Sequence, residues 1–217
     1  MRFTRLGKQA AAVVTATVVA SALGAGPAQA AGKKPLKTKS LAAVLTADKS
    51  GFDRNGHDYD ILAAAVNAVL KAKPGSKVGV LADGKQRVTA FVPNDRAFQL
   101  LVKDITKSKK LPGEKKAFTA VAGLGINTVE SVLLYHVVPG ATITKKAALK
   151  SDNAKLATAA GAKIKVNVYG PRWHKRISLI DADRSDRNPR INRFDINKGN
   201  RQIAHGIDRV LRPINLP

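Results

Sequence analysis

Two histidines and two aspartates are the residues of this sequence best suited to acid–base chemistry. They are His136, His205, Asp95 and Asp208. A histidine oriented by a carboxylate is a common general base in hydrolases. The chain has no Gly-x-Ser-x-Gly elbow and no His-Glu-x-x-His pair, and its only glutamates are Glu114 and Glu130. The sequence therefore predicts a protein that is not an enzyme and has no catalytic residues, and a hydrolase is a remote alternative.

A loop rich in oxygen ligands precedes the second predicted helix. Its polar residues are Asp48, Asp53, Asn55, Asp58 and Asp60. Such a density of oxygens suits Ca²⁺, but an EF-hand needs glycine at its sixth position, which is Asp58 when counted from Asp53. The four histidines also lack the i, i+4 spacing of a zinc site. We therefore expect a polar loop in which Asp58 or Asp60 caps the helix, with no metal and no cofactor.

The sequence is strongly basic. Lys and Arg total 38 against 15 Asp and Glu, which gives a formal net charge of +23, and 44% hydrophobic residues leave enough apolar side chains for a core. The charge is concentrated in residues 33–39, 103–116 and 163–193. These stretches would attract teichoic-acid-like polymers, acidic polysaccharide or anionic lipid. We expect no nucleic-acid partner, because no DNA- or RNA-binding motif is recognised.

A single tryptophan lies inside the third basic stretch. Trp173 is surrounded in sequence by Arg172, His174, Lys175 and Arg176. Its ring could stack on a sugar or under a cation, or it could pack on the edge of a sheet. Arg172, Trp173, Lys175 and Arg176 are therefore candidate binding residues.

The first thirty residues have the pattern of a secretory signal peptide. Basic residues at the start precede an apolar run, and Ala28 and Ala30 mark a cleavage site. The run is too short and too interrupted to span a bilayer, and no later apolar segment is long enough. We expect a signal peptide over residues 1–30, a flexible basic arm over 31–39, and a protein that is secreted, extracellular or cell-wall associated. The absence of cysteine excludes disulfides and a lipoprotein anchor.

The remaining pattern favours an α+β domain over residues 40–217, with helices packed on a small sheet. Apolar spacing predicts helices over the first half, including one capped by Asn94 after a strand at residues 88–92. Asn127 and Glu130 form a variant capping box for a helix over residues 128–138. From Gly140 onward, short alternating runs predict strands joined by turns such as Gly170-Pro171.

Three stretches of the sequence together resemble the fasciclin domain. They are TAFVPNDRAF at residues 89–98, LYHVV at residues 134–138, and GNRQIAHGIDRVLRP at residues 199–213. The first is similar to the family's Thr-x-Phe-Ala-Pro motif, the second to its central Tyr-His motif, and the third to its closing His-x-Ile-Asp-x-Val-Leu-x-Pro motif. The resemblance covers about residues 39–213 and departs from the family pattern in the basic residues 163–193.

The resemblance implies a wedge-shaped α+β fold and a binding activity without cofactor or reaction. The implied partner is a cell-surface, matrix or envelope component, including anionic polysaccharide, bound by a monomer. Tyr135 and His136 match a motif implicated in adhesion by animal members, and Asp195 and Ile196 match a pair linked there to integrin contact. The residues leave a structural role open for His136, as a helix-end imidazole that hydrogen-bonds the Asn94-Asp95 turn. Electrostatic binding of anionic polymers is the alternative function.

Overall fold

A computed structural model of the chain describes residues 34–214. The signal peptide predicted for residues 1–30 and the first residues of the predicted arm lie outside the described residues. The part that is described contains six α-helices, one 3-10 helix and seven strands. The α+β class predicted from the sequence is confirmed, with most helices preceding most strands along the chain.

The helices pack through apolar faces that the sequence spacing predicts. They are α1 (Leu41–Leu45), α2 (Asp60–Ala72), a 3-10 helix (Lys77–Ala82), α3 (Asp95–Ile105), α4 (Glu114–Ala122), α5 (Ile126–Tyr135) and α6 (Lys145–Ala148). On α2, Ile61, Ala65 and Val69 are spaced four residues apart and are buried. Asn94 caps α3 as predicted, since its side chain accepts a hydrogen bond of 3.0 Å from the Ala97 N–H.

The strands form two sheets. They are β1 (Val88–Pro93), β2 (Val137–Pro139), β3 (Lys155–Ala157), β4 (Lys163–Tyr169), β5 (Arg176–Ile180), β6 (Ile191–Ile196) and β7 (Gln202–Ile207). The first sheet has the order β2-β1-β7-β6, with β1 and β7 parallel at its centre, and the second is the antiparallel sheet β3-β4-β5. All six residues of β1 and all six of β7 are buried, as a parallel pair covered on both faces requires.

Two apolar clusters hold these elements together. The larger cluster joins the helices to the first sheet and includes Ile61, Phe98 and Leu133. The smaller one lies around the second sheet, where Ile164 and Leu179 are fully buried. Burial of each such side chain contributes about 1.5–3 kcal/mol. The smaller cluster also includes Phe91 and Ile207 of the first sheet, so it holds the second sheet against the first.

Two predicted helix starts differ from the observed ones. No side-chain hydrogen bond caps α2 at its own N-cap, Tyr59, so the prediction that Asp58 or Asp60 caps it is wrong. The predicted capping box of α5 is also wrong, because Glu130 accepts hydrogen bonds from Lys73 and Ser76 instead. The helix predicted for residues 128–138 ends at Tyr135, and the next residues form β2 against β1.

The last residues of the basic arm predicted for residues 31–39 are hydrogen-bonded to the domain. The Lys37 N–H donates to the Gly199 carbonyl at 2.9 Å, and the Arg201 N–H donates to the Lys37 carbonyl at 2.8 Å. The Lys39 N–H donates to Asn200 Oδ1 at 2.9 Å. Lys37 and Lys39 are therefore hydrogen-bonded to the turn before β7.

Among residues 34–214, no single helix is long and apolar enough to cross a membrane. Helices α4 and α5 pass that test only when taken together, and they are bent by 107° relative to each other.

Candidate interaction site

Tyr135 and His136, the central motif, lie inside the molecule. Tyr135 ends α5, is 0% exposed, and donates its hydroxyl to the Lys163 carbonyl at 3.1 Å. His136 Nδ1 contacts the Val132 carbonyl at 2.7 Å, and the Leu211 N–H donates to His136 Nε2 at 2.9 Å. One ring nitrogen thus donates and the other accepts, which defines a neutral imidazole, and burial lowers the pKa of His136 to about 4.

The bonding partner expected for His136 is wrong in detail. The sequence predicted a hydrogen bond to the Asn94-Asp95 turn, whereas the imidazole joins the end of α5 to Leu211 in the closing motif. The two motifs that it connects are more than seventy residues apart in sequence. His136 therefore links the central motif to the C-terminal one.

His205 has a similar buried environment on β7. The Asp195 N–H donates to its Nδ1 at 3.2 Å, and its Nε2 lies 2.8 Å from the Ile143 carbonyl. Phe194 packs edge-on against the ring at a centroid distance of 5.5 Å, and burial lowers the pKa of His205. In residues 34–214 neither this histidine nor His136 hydrogen-bonds a carboxylate, so the acid–base arrangement considered from the sequence is not assembled there.

Asp195 and Ile196 lie at the end of β6. The Asp195 backbone is left-handed, with φ of 58°, a conformation uncommon outside glycine. Its Oδ1 accepts from the Lys145 N–H at 2.6 Å, and its Oδ2 pairs with the Lys198 ammonium at 3.3 Å. Ile196 is half-buried against the larger cluster. Both oxygens of Asp195 are therefore engaged in contacts within the domain.

The turn between β4 and β5 carries the most exposed large apolar side chain among the described residues, Trp173. It is 88% exposed, and the four basic residues beside it are exposed as well. A hydrogen bond of 2.9 Å from the His174 N–H to the Pro171 carbonyl closes the turn. Gly170 has φ of 96°, and a Cβ there would lie 2.6 Å from the His174 carbonyl, so this position requires glycine. The alternative in which Trp173 packs on a sheet edge is wrong.

The acidic residues that follow β5 point into the domain and are paired there. Asp181 accepts from the Arg212 N–H at 2.8 Å. Asp183 and Asp186 pair with the Arg212 guanidinium at 3.4 and 3.0 Å. Because these carboxylates are neutralised internally, the charge left on the surface of residues 163–193 is predominantly positive.

An open groove continues from the turn along the second sheet. Tyr169, which pairs with Arg176 at the end of the β4–β5 hairpin, lines it with Ser178, Arg187 and Arg190. The Arg190 guanidinium lies 5.9 Å from the centre of the Tyr169 ring. Arg172, Trp173, Lys175 and Arg176 thus occupy one turn, and the groove adds two arginines that the sequence did not single out.

Sequence reasoning missed two groups of charged residues. Arg209 and Arg212 of the closing motif pair with carboxylates from two separate segments, α3 and the loop after β5, and no local spacing indicates this. Asp58, Asp95 and Glu114 come together at the starts of three helices. The density of aspartates before α2 was a signal for part of the second group, but Asp95 and Glu114 are distant in sequence.

The helices, the two sheets and the three motifs define an α+β domain of the fasciclin type. The fasciclin domain family matches residues 61–213, which is more than half of the chain. This protein therefore belongs to the fasciclin domain family, and the resemblance inferred from its motifs is confirmed. The fasciclin domain is known as a cell adhesion module and occurs in extracellular proteins.

One solved structure similar to this chain is a FAS1 domain pair from the insect cell adhesion molecule fasciclin I. The two chains share 21% sequence identity with a TM-score of 0.49, and the match covers 74% of this chain and 48% of that one. The present chain thus spans about half the length of that structure's chain. No curated protein matches the sequence.

Proposed function

We propose that this fasciclin domain is a non-catalytic interaction module that binds an anionic component of a cell surface, matrix or envelope. The ligand class that fits best is an acidic or phosphate-bearing polysaccharide. One observation carries the proposal: around the exposed Trp173, the basic side chains face solvent while the neighbouring carboxylates are paired inside. The exposed indole of Trp173 offers an apolar face beside cations that remain free to bind anions.

The chemistry of the β4–β5 turn suits a charged sugar polymer. A guanidinium binds carboxylate or phosphate oxygens through two parallel hydrogen bonds, which Arg172 and Arg176 supply. The indole of Trp173 offers an apolar face on which a sugar ring can stack. The groove is lined by Arg187 and Arg190 and by Asp186, whose carboxylate is paired with Arg209 and Arg212. A polymer longer than one sugar unit would therefore have further cationic contacts.

The burial of Tyr135 and His136 favours the β4–β5 turn over the central motif as the binding site. Both side chains are shielded from solvent and engaged in internal hydrogen bonds, so a partner would reach them only after the domain opened. Asp195 and Ile196 are nearer the surface, and a contact there would be less dependent on charge. The proposal therefore assigns a structural role to the first pair and ranks the second pair behind the turn.

The test is binding of the purified protein to isolated cell-envelope material and to a phosphate-bearing polysaccharide across a salt series. The triple variant Arg172→Gln, Lys175→Gln, Arg176→Gln is expected to weaken binding about tenfold or more, because it removes three phosphate contacts. The Trp173→Ala variant should also bind more weakly than the wild type, and its relative loss of affinity should be larger at high salt. Salt screens the charge contacts, so stacking on the indole contributes more of the affinity that remains. A neutral polysaccharide of similar length should not bind.

A matched control removes the same charge from another basic stretch. Lys107, Lys109 and Lys110 are exposed in the loop between α3 and α4 and can be changed to glutamine together. Equal losses in both triple variants would favour the second candidate function, diffuse electrostatic binding by all the basic stretches. If both triple variants bound as tightly as the wild type and binding persisted at high salt, the proposal would be contradicted. Asp195 and Ile196 would then be the next residues to test.

We also propose that the protein acts outside the cell, as a secreted or cell-wall-associated monomer. The leader pattern of residues 1–30 and the occurrence of fasciclin domains in extracellular proteins support this location. Finding the chain, shortened by about thirty residues, in the culture medium or wall fraction would agree with it. An unprocessed chain confined to the cytoplasm would contradict it.

A further inference from the structure

Three carboxylates lie together where three helices begin. Asp58 lies two residues before α2, Asp95 is the first residue of α3, and Glu114 is the first residue of α4. One carboxylate oxygen from each lies within 4.8 Å of the others. Asp53 and Asp60 approach Asp58 within the same limit on a more exposed side. We call Asp58, Asp95 and Glu114 the carboxylate cluster.

Backbone donors fix the two most buried members of the carboxylate cluster. The Ile61 N–H donates to Asp95 Oδ1 at 3.0 Å, and the Asp53 N–H donates to Glu114 Oε2 at 2.6 Å. Asp95 is 0% exposed and Glu114 is 2% exposed. Each of these carboxylates is thus held in place through one oxygen, which leaves the other free for a ligand.

When all three carboxylates are ionised, their second oxygens have no hydrogen-bond donor among the described residues, although a proton on Asp95 would be shared with Asp58. They are Asp95 Oδ2, Glu114 Oε1 and both oxygens of Asp58, all of them buried. Buried acceptors in folded proteins nearly always meet a donor, water or an ion, and those that do not are destabilising. Four such oxygens in one cluster point to a bound species that supplies positive charge.

The protein itself supplies too little positive charge to this place. Within residues 34–214, no Lys, Arg or His nitrogen forms an ion pair with Asp58, Asp95 or Glu114. The three helix starts contribute about half a positive charge each. Against three carboxylates they leave a deficit of about one and a half charges, which a divalent cation would cover.

We propose that the carboxylate cluster binds a Ca²⁺ ion, with Asp53 and Asp60 as further ligands on the open side. Carboxylate oxygens are hard ligands, which Ca²⁺ prefers over the nitrogen and sulfur that zinc takes. Ca²⁺ binds oxygens at about 2.3–2.6 Å, so oxygens around one ion lie up to about 5 Å apart. Mg²⁺ demands near-ideal octahedral geometry and gives up its waters reluctantly, which makes it the weaker candidate for a site built from several carboxylates.

An open cavity next to this site gives a route for the ion and for water. It is lined by Asp53, Asn55, Gly56 and Gly113, and Gly113 immediately precedes Glu114. Arg54, His57 and Arg96 also line it. Asp53 belongs to both the cavity and the group around Asp58, so water ligands can complete the coordination from this side.

The sequence analysis predicted no metal site because it tested only the loop before α2 against EF-hand spacing. The proposed ligands instead come from three segments, the loop before α2 and the first turns of α3 and α4. A cation there would join these segments at one point. Its removal would therefore loosen the start of all three helices.

The test is calcium titration of the full-length protein after treatment with EDTA. Isothermal titration calorimetry at about pH 8.5 should give one site with a dissociation constant of about 1 mM or below, the range of extracellular calcium modules. The melting temperature should rise with CaCl₂ and rise less with MgCl₂. Asp58→Asn should weaken calcium binding at least tenfold and remove the rise in melting temperature.

Asp152→Asn is the matched control, because Asp152 is an exposed aspartate on the turn before β3. Its calcium isotherm should equal that of the wild type. If Asp58→Asn does not fold, Asp53→Asn in the exposed loop replaces it, with an expected loss of severalfold. A wild-type protein without heat or thermal shift at about 10 mM CaCl₂ would overturn the proposal, and so would equal binding by the Asp58→Asn variant.

Discussion

The described part of the molecule contains two groups of carboxylates, one paired with arginines and one without such partners. Asp104, Asp183 and Asp186 are joined by Arg209 and Arg212 at distances of 3.0 to 3.4 Å. The carboxylate cluster of Asp58, Asp95 and Glu114 has no such partner among the described residues. The chain has a formal net charge of +23, so the difference does not reflect a shortage of basic residues. Local placement of cations decides which carboxylates are neutralised.

The pKa values of Asp183 in the paired group and of Asp95 in the carboxylate cluster are shifted in opposite directions. Burial alone would raise the pKa of Asp183, but hydrogen bonds from Ser185 and the charge of Arg212 lower it below its usual value. Burial raises the pKa of Asp95 to about 8, and the neighbouring Asp58 adds to the rise. Asp183 is thus stable as an ion, while Asp95 favours binding a proton or another cation.

The largest effect should follow from breaking the paired group. Arg212→Met removes the guanidinium that contacts all three carboxylates and leaves Asp183, whose side chain is 1% exposed, without its cation. We expect a loss of about 3–5 kcal/mol in the free energy of unfolding, measured by urea denaturation at pH 7. Arg187→Met, on the exposed surface, should cost less than about 0.5 kcal/mol. Equal losses in both variants would mean that the buried pairing is not what stabilises this region.

A third kind of buried group, the neutral and fully hydrogen-bonded imidazole of His136, should make the stability of the fold depend on pH. The folded pKa of His136 is about 4, below its ordinary value of 6.5. The unfolded chain therefore binds a proton in this interval that the folded one does not, and stability falls as pH drops from 6.5 to 4. The loss approaches roughly 3 kcal/mol at the lower end.

The change due to His136 is isolated by comparison with a variant. Burial also lowers the pKa of His205 and raises the pKa of Asp181 to about 6, so wild type and His136→Ala are measured side by side from pH 7.5 to 4. Their difference in unfolding free energy should shrink as the solution becomes acidic. A constant difference would show that the imidazole at position 136 does not resist protonation.

At neutral pH, the same His136→Ala variant should be less stable by about 1–3 kcal/mol. It leaves the Leu211 N–H and the Val132 carbonyl without partners in the core. Thermal unfolding followed by circular dichroism measures the loss. An unchanged melting temperature together with lost binding to envelope material would make His136 a contact residue and contradict its structural role.

The smallest effect, with the opposite sign to that of Arg212→Met, is expected in the carboxylate cluster. Glu114→Gln keeps an oxygen acceptor for the Asp53 N–H and removes one charge. In EDTA, the free energy of unfolding should stay equal or rise by up to about 1 kcal/mol, because repulsion is relieved. In calcium, the variant should gain less stability than the wild type. A loss of more than about 1 kcal/mol in EDTA would mean that the cluster is not electrostatically unfavourable.

Local patterns were sufficient to predict much of the fold. The cap of α3 at Asn94, the strand before it and the turn at Gly170-Pro171 depend on neighbouring residues, and each is found as expected. The boundary of α5 was misplaced because β1 offers hydrogen bonds that turn residues after Tyr135 into a strand. Strand pairing ended the helix there, and the apolar spacing along a helix carries no information about such pairing.

The proposed binding site was predictable only where its residues are close together in the sequence. Arg172, Trp173, Lys175 and Arg176 are consecutive or nearly so, and one hairpin presents them together. Their net charge on the surface depends on Asp183 and Asp186 turning inward to Arg212, about thirty residues away. The carboxylate cluster likewise joins segments that only the completed fold brings together, so no spacing rule in the sequence identifies it.

The parallel pairing of β1 with β7 sets when this domain can fold during synthesis. Val88 pairs with Gln202 and Pro93 with Ile207, so the central strands of the first sheet come from near the start and near the end of the domain. The loop that closes when they meet spans over a hundred residues, and such contacts form slowly. A nascent chain still lacking β7 has no central strand pair, which keeps the first sheet open until the last segment has left the ribosome.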